Sequence, residues 1–179
     1  MKKLFDFIKI IPDVLTDEQT NQIVYDLEKF NYWKPALLGD NINNNQDNYI
    51  RNCDICCISQ YQEFANLDAI VFNAAKFAAQ QYDMGINVSS DSGYDALRYK
   101  ENGFYVTHTD ASPNNNRSVS CSFSLNDDYE GGEWGFWGDE IKFKAPKGSA
   151  VLFPSNFMYP HQIFPVTKGI RYSIVTWFV

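Results

Sequence analysis

Histidine is scarce in this sequence, and acidic residues outnumber basic ones. Two histidines occur among 179 residues, and 15 lysines and arginines stand against 22 aspartates and glutamates, which gives a net charge of −7. A chain of that charge has little general attraction for nucleic-acid phosphates. We therefore expect no nucleic-acid partner.

Long apolar runs are also lacking, since none approaches the roughly 20 residues that a helix needs to cross a bilayer. The N-terminal stretch MKKLFDFIKIIPDVL is interrupted by Asp6, Lys9 and Asp13, and no small-residue cleavage site follows it. This pattern is not typical of a signal peptide. We expect no membrane partner and a cytoplasmic location.

Cysteine is sparse, and three of the four thiols lie in the segment CDICC. Cys53 and Cys56 have the C-x-x-C spacing of half a zinc site, but a second pair of ligands is missing, because only Cys121 and two histidines lie elsewhere. The simpler interpretation is that Cys53, Cys56 and Cys57 are buried thiols on a strand in a reducing compartment.

Apolar and aromatic residues are abundant, at 45% and 16% of the chain, which is typical of a folded chain and predicts one domain over residues 1–179. Two helical patterns lie in the first half. Residues 12–30 contain Thr16 and Gln19 at capping-box spacing, and residues 64–82 are rich in alanine with apolar residues on one helical face.

The segments between and after these helices predict strands and loops. Residues 49–61 are β-branched and predict a strand, and residues 39–48 predict a loop by composition. After residue 90 the chain breaks into short strand-like segments separated by Gly, Asn, Asp and Pro. We predict a mainly β, α+β fold in which residues 1–90 form a mostly helical support and residues 91–179 form a double-sheet jelly-roll catalytic core.

Both histidines fall in this second half. In the stretch FYVTHTD, His108 lies two residues before Asp110, and side chains at that spacing point to the same face of a strand. His161 lies on another predicted strand. Two histidines and one aspartate make up the facial triad of non-haem Fe(II) enzymes. A polar patch at a strand end is the alternative for the His108–Asp110 pair alone.

An arginine in an apolar strand adds a second polar feature. Arg171 lies in GIRYSIVTWF, where a buried guanidinium needs an anion to meet it. Its planar fork matches a carboxylate, so an acidic cosubstrate that binds the metal at one end has a partner at the other. A structural salt bridge at the strand end is the alternative.

These residues belong to a longer pattern that resembles the prolyl 4-hydroxylase-like group of the 2-oxoglutarate/Fe(II)-dependent dioxygenases. The segments that carry the resemblance are YKENGFYVTHTD, VSCSFSLNDDYEGGEWGF and KGSAVLFPSNFMYPHQIFPVTKGIRYSIVTWF, which cover most of residues 97–178. The resemblance implies a double-stranded β-helix core with flanking helices. It also implies Fe(2+), 2-oxoglutarate and O2 as cofactors, with ascorbate as a reductant, and metal ligation by His108, Asp110 and His161.

The resemblance further implies roles for other side chains. Four are expected to bind the cosubstrate: Arg171, Tyr99, Ser124 and Ser173. Tyr105 and Trp177 are expected to contact the substrate, and Arg117 is a candidate for the same role by its position in the loop at 111–118. Plain core packing is the alternative for Tyr99, Ser173 and Trp177. The loops at 39–48 and 111–118 are candidate lids over the site.

The implied reaction hydroxylates a C–H bond and releases succinate and CO2. The motifs favour a peptidyl-prolyl 4-hydroxylase acting on a protein or a proline-containing peptide. A hydroxylase of a free amino acid, a small molecule or another protein side chain is the main alternative. A nucleic-acid demethylase typically has a second arginine where this chain has Trp177, and an iron-free binding module does not require the intact triad.

Overall fold

The computed structural model describes residues 2–37, 48–84 and 90–179. Two α-helices occur in these ranges, α1 (Asp17–Phe30) and α2 (Ala65–Gln81). The strands are β1 (Lys9–Ile11), β2 (Lys34–Pro35), β3 (Arg51–Asn52), β4 (Asp54–Cys57), β5 (Asp95–Tyr99), β6 (Phe104–His108), β7 (Val119–Ser124), β8 (Glu130–Gly131), β9 (Trp134–Phe136), β10 (Ile141–Phe143), β11 (Ala150–Pro154), β12 (His161–Ile163), β13 (Val166–Lys168) and β14 (Arg171–Phe178).

The strands form two main antiparallel sheets. One has seven strands in the order β1-β11-β7-β14-β5-β4-β2, and the other has five in the order β10-β9-β12-β6-β3. Buried side chains of both sheets share one apolar cluster, in which Leu97 and Phe153 of the larger sheet meet Phe136 and Ile163 of the smaller one. The predicted two-sheet, mainly β fold with flanking helices is confirmed.

The two helices pack on the large sheet through a second apolar cluster. Ile23 and Leu27 of α1 and Val71 of α2 are fully buried with Phe123 and Ile174 of the sheet. α1 begins as predicted, because the Thr16 hydroxyl accepts a hydrogen bond from the Gln19 backbone at 3.2 Å and the Gln19 side chain accepts one from the Thr16 backbone at 2.9 Å.

The predicted strand at 49–61 is wrong as a single element. It divides at Cys53 into β3, which pairs with β6 in the five-stranded sheet, and β4, which pairs with β5 in the seven-stranded sheet. A 3-10 turn, Ile58–Gln60, then ends the strand. The segment therefore crosses from one sheet to the other, and sequence alternation carries no information about which neighbour a strand will pair with.

Several short strands were not predicted, because two or three residues are too few to show alternation. Strands β8 and β13 pair beside the Gly131–Gly132 turn. Both glycines have positive φ, 71° and 64°, and a Cβ on Gly131 would collide with the carbonyl oxygen of Pro165. Within the described ranges, no helix combines the length and apolar character needed to cross a membrane.

Candidate active site

Pairing of β6 with β12 brings the two histidines together. His161 is the register partner of His108, and their ring centroids lie 4.3 Å apart. Asp110 follows in a bend rather than on the strand, because β6 ends at His108. Nε2 of His108 lies 3.7 Å from Oδ1 of Asp110, and Nε2 of His161 lies 3.6 Å from Oδ2. One potential ligand atom from each residue falls within 4.8 Å of the others.

Backbone carbonyls orient both imidazoles. Nδ1 of His108 lies 2.9 Å from the Val106 oxygen, and Nδ1 of His161 lies 3.0 Å from the Tyr159 oxygen. With the proton assigned to Nδ1 as donor, the Nε2 lone pairs face Asp110. Burial, together with the neighbouring His161, lowers the pKa of His108 to about 3. The His108 imidazole is therefore neutral near pH 7, as a metal ligand must be.

The carboxylate of Asp110 is held by side chains from two strands of the large sheet. Ser120 donates to its Oδ2 at 2.5 Å, and the Ser120 oxygen lies 2.8 Å from the Ser155 hydroxyl. Burial opposes ionisation of Asp110, but the nearby His161 and His108 and hydrogen bonds from Ser120 and Trp177 outweigh it and lower the pKa of Asp110. Two imidazoles and one carboxylate are a donor set that fits Fe(II).

Arg171 lies in the same cavity as this cluster. It is 3% exposed and begins β14 opposite Tyr99 of β5. Its Nη1 donates to the Ser173 hydroxyl at 3.0 Å, whereas its buried Nε has no partner among the described residues. No carboxylate of the described ranges forms a salt bridge with Arg171, so the alternative of a structural ion pair is not observed. An acidic ligand would satisfy this guanidinium.

A cavity of about 940 Å³ connects the His–Asp–His cluster with Arg171. The predicted site residues that line it alongside them are Tyr99, Tyr105, Arg117, Ser173 and Trp177. The Tyr105 ring stacks on His108 at 3.5 Å, and the Arg117 guanidinium lies 3.5 Å from the Trp177 ring centroid. The structure thus gathers these side chains around one space.

Ser124 is the predicted residue that is not brought to the cavity. Its hydroxyl donates to the carbonyl oxygen of Ala145 at 3.2 Å and lies 3.4 Å from that of Asn126. Ser124 shares a strand face with Ser120 and Ser122, which do line the cavity. It lies at the end of β7, beyond the space that the cavity occupies.

Some cavity residues were missed by sequence reasoning. The run SVSCSFS places a serine at every second position, so one face of β7 is polar, and that alternation was the available signal for Ser120 and Ser122. Arg51 also lines the cavity, but no pattern in the sequence marks it. Trp134 is buried and also lines the cavity near Arg171.

The loop at 111–118, one of the two candidate lids, lies at the cavity. Ser112, Asn114 and Asn115 of the loop at 111–118 line the cavity. The Asn115 amide donates to the backbone oxygen of Asp110 at 3.2 Å and to the Ser112 hydroxyl at 3.0 Å. The loop at 39–48 lies, apart from Asn48, outside the described residues.

The four cysteines are free thiols, and Cys53, Cys56 and Cys121 are buried. Cys57 lines the cavity and is half-buried. Burial, with a hydrogen bond to Asp95, raises the pKa of Cys57 to about 12. The thiol therefore stays protonated near neutral pH.

Comparison with known proteins relates the second half of the chain to one family of enzymes. The profile of the 2OG-Fe(II) oxygenase superfamily matches residues 94–179, the segment that carries His108, Asp110, His161 and Arg171. This segment, just under half of the chain, is similar to that superfamily. This similarity implies Fe(2+) as the cofactor and 2-oxoglutarate and O2 as the cosubstrates at the cluster.

Curated relatives of this chain are named PKHD-type hydroxylases. One from Alteromonas mediterranea is 38% identical over 94 residues, which cover 45% of this chain and 40% of the relative. One from Polaromonas sp. is 42% identical over 64 residues, which cover 33% of this chain and 27% of the relative. The chain thus matches less than half the length of these relatives.

Solved structures of prolyl hydroxylases share the jelly-roll fold over nearly the whole described chain. The prolyl hydroxylase of Trichoplax adhaerens, in complex with a hypoxia inducible factor oxygen degradation domain peptide fragment, superposes with a TM-score of 0.81 at 19% identity, covering 96% of this chain and 83% of that one. The prolyl-4-hydroxylase of Pseudomonas putida gives 0.72 at 17% identity, covering 96% and 92%. At such low identity the likeness concerns the fold.

Proposed function

We propose that this chain is a 2-oxoglutarate- and Fe(II)-dependent prolyl 4-hydroxylase that acts on a proline within a peptide or protein. The products are hydroxyproline, succinate and CO2. The observation that carries the proposal is the presence, in one cavity, of the His108, Asp110 and His161 donors and of a buried Arg171 whose Nε lacks a partner.

The protein's own residues divide the work between binding and orientation. His108, Asp110 and His161 hold the metal and leave coordination positions for cosubstrate and O2. A bound Fe(II) supplies the oxidation of an unactivated C–H bond. Arg171 pairs with the far carboxylate of 2-oxoglutarate, and Ser173 and Tyr99 flank that guanidinium.

The substrate side of the cavity is aromatic. The Tyr105 ring stacks on His108, and the Trp177 side chain lies near enough to Asp110 to lower the pKa of that carboxyl, so both lie close to the metal ligands. Flat apolar rings of this kind suit a proline ring, and Arg117, stacked on Trp177, adds a cation at the same wall. The names of the curated relatives and structural neighbours support a hydroxylase with this preference.

Incubation with a panel of proline-containing peptides tests the proposal. The Fe(II)-loaded protein receives 2-oxoglutarate and each peptide, with ascorbate present or omitted, and succinate and peptide mass are followed together. We expect a peptide to gain the mass of one oxygen atom on proline, with an equal amount of succinate and more turnovers when ascorbate is present. A His108→Ala variant serves as the inactive control. Turnover with free amino acids but with no peptide would contradict a peptidyl substrate.

A further inference from the structure

The charge inside the cavity is opposite to that of the whole protein. The metal ligands and Arg171 have their roles, and the remaining charged residues that line the cavity are Lys34, Arg51, Arg117 and Asp95. These residues carry three positive charges and one negative charge, whereas the whole chain has a net charge of −7. A low-dielectric cleft lined with one sign of charge attracts ligands of the other sign.

Arg51 is linked to a metal ligand through one aromatic ring, whereas Arg117 donates from Nη1 to the backbone oxygen of Asp110 at 3.2 Å. Its strand β3 pairs with β6, where Arg51 is the register partner of Tyr105. The guanidinium carbon lies 4.7 Å from the centroid of the Tyr105 ring, and that ring in turn stacks on His108 at 3.5 Å. One aromatic ring therefore contacts both the guanidinium and a metal ligand.

The guanidinium of Arg51 has few partners in the protein. Its Nε donates to the Sγ of Cys53 at 3.2 Å, and this is the one hydrogen bond that joins its side chain to the described part of the chain. Among those residues it has no ion pair with a carboxylate. Arg98, in contrast, has an ion pair with both Glu28 and Asp54. A partly buried arginine that faces a cavity and has no ion pair of its own has donors available to a ligand.

From this placement we infer that Arg51 binds a carboxylate of the substrate, so that the preferred peptide has an aspartate or glutamate within two residues of the target proline. Arg171, buried at the start of β14, pairs with the cosubstrate under the proposed function. Arg51 is then available to a carboxylate of the substrate. The Arg51 guanidinium carbon lies 4.7 Å and the His108 ring 3.5 Å from the Tyr105 centroid, so about two residues of an extended peptide, at about 3.3–3.6 Å each, span the distance from Arg51 to His108. This inference rests on the proposed peptide substrate.

Binding measured without turnover tests the inference. Labelled peptides that differ only in Glu or Gln beside the proline are titrated into Fe(II)-loaded protein with 2-oxoglutarate in the absence of O2, and fluorescence anisotropy gives Kd. We expect the Glu peptide to bind about 10- to 100-fold more tightly than the Gln peptide, because the pair is charge-assisted. Arg51→Gln should abolish that ratio, and Arg51→Lys, which keeps the charge without the fork, should retain part of it.

A matched control removes one positive charge elsewhere. Lys168 is exposed, pairs with Glu130 and lies outside the cavity, so Lys168→Gln should keep the wild-type ratio. Equal binding of the Glu and Gln peptides by the wild type, or an unchanged ratio in both Arg51 variants, overturns the inference. A Glu preference that depends on Arg51, without oxygen added to any peptide, supports the Arg51 assignment while the proposed hydroxylation fails. Hydroxylation of a peptide without a Glu preference supports the proposed function, and the Arg51 assignment then fails.

Discussion

At the scale of the residue, the orientation of Asp110 depends on one hydroxyl. Ser120 donates to Oδ2 of Asp110 at 2.5 Å and lies 2.8 Å from the Ser155 hydroxyl. Such partners of a metal ligand fix its geometry and its protonation, so their loss weakens the metal site without removing a ligand. Ser122 lies two residues along the same strand and also lines the cavity, with no bond to Asp110 among the described contacts.

Ser120→Ala is therefore expected to lower the affinity for Fe(II) about 10- to 100-fold. Metal titration of the purified protein, followed by intrinsic fluorescence in the absence of O2, measures this affinity. Ser122→Ala removes a hydroxyl from the same strand face and should leave it nearly unchanged. Equal affinities for the two variants would show that Ser120 does not position Asp110.

Cys57 gives a second prediction at this scale, through pH. Burial and the hydrogen bond to Asp95 raise the pKa of this thiol from 9.0 to about 12. The unfolded chain loses the thiol proton as the pH passes about 9 while the folded chain keeps it, so the free energy of unfolding falls as the pH rises above 9. The contribution of one thiol is at most about 1.4 kcal/mol per pH unit.

Cys57→Ser keeps a hydroxyl donor for Asp95 and does not titrate in this range. We expect urea denaturation between pH 9 and 10.5 to show a slope of stability against pH that is shallower by about 1 kcal/mol per unit in this variant. A slope identical to that of the wild type would mean that the Cys57 thiol titrates normally in the folded protein.

At the scale of the element, local patterns predict some features well and others poorly. The capping box of Thr16 and Gln19 predicts the start of α1 because its partners lie three residues apart. The strand at 49–61 divides between two sheets because β3 and β4 find distant partners in β6 and β5. Alternation reports which side chains share a face, and it does not report which sheet a strand will join.

Thr16→Ala tests the cap of α1. The change removes the acceptor for the Gln19 backbone amide and should lower the free energy of unfolding by about 1 kcal/mol, measured by urea denaturation. Thr16→Ser preserves the acceptor, so the stability of that variant should stay close to that of the wild type. A loss as large in Thr16→Ser as in Thr16→Ala would mean that the hydroxyl is not the source of the effect.

At the scale of the whole molecule, the site depends on the pairing of strands that are far apart in the sequence. β12 brings His161 opposite His108, and β14 brings Arg171 opposite Tyr99. The His–Asp–His cluster could be predicted because only two histidines exist in the chain, and the burial of Arg171 because it is a lone cation in an apolar strand. That Ser124 lies outside the cavity could not be predicted, because strand periodicity gives the face of a residue and not where along the strand a cavity ends.

Arg51 shows the limit of reasoning from sequence. It lies on a strand of two residues, and its importance comes from a sheet pairing that puts it against Tyr105. No spacing or composition in its neighbourhood distinguishes it from a solvent-exposed arginine. Residues of this kind are recognised only when the fold shows what surrounds them.

The central claim is that one cavity binds Fe(II) through His108, Asp110 and His161 and 2-oxoglutarate through Arg171. Calorimetric titration of 2-oxoglutarate in the absence of O2, with and without Fe(II), tests it most directly. We expect tight binding by the wild type only with Fe(II), a loss of about 10- to 100-fold in Arg171→Gln, and no Fe(II)-dependent binding in His108→Ala. Binding by His108→Ala that matches the wild type, with the same dependence on Fe(II), would contradict the account.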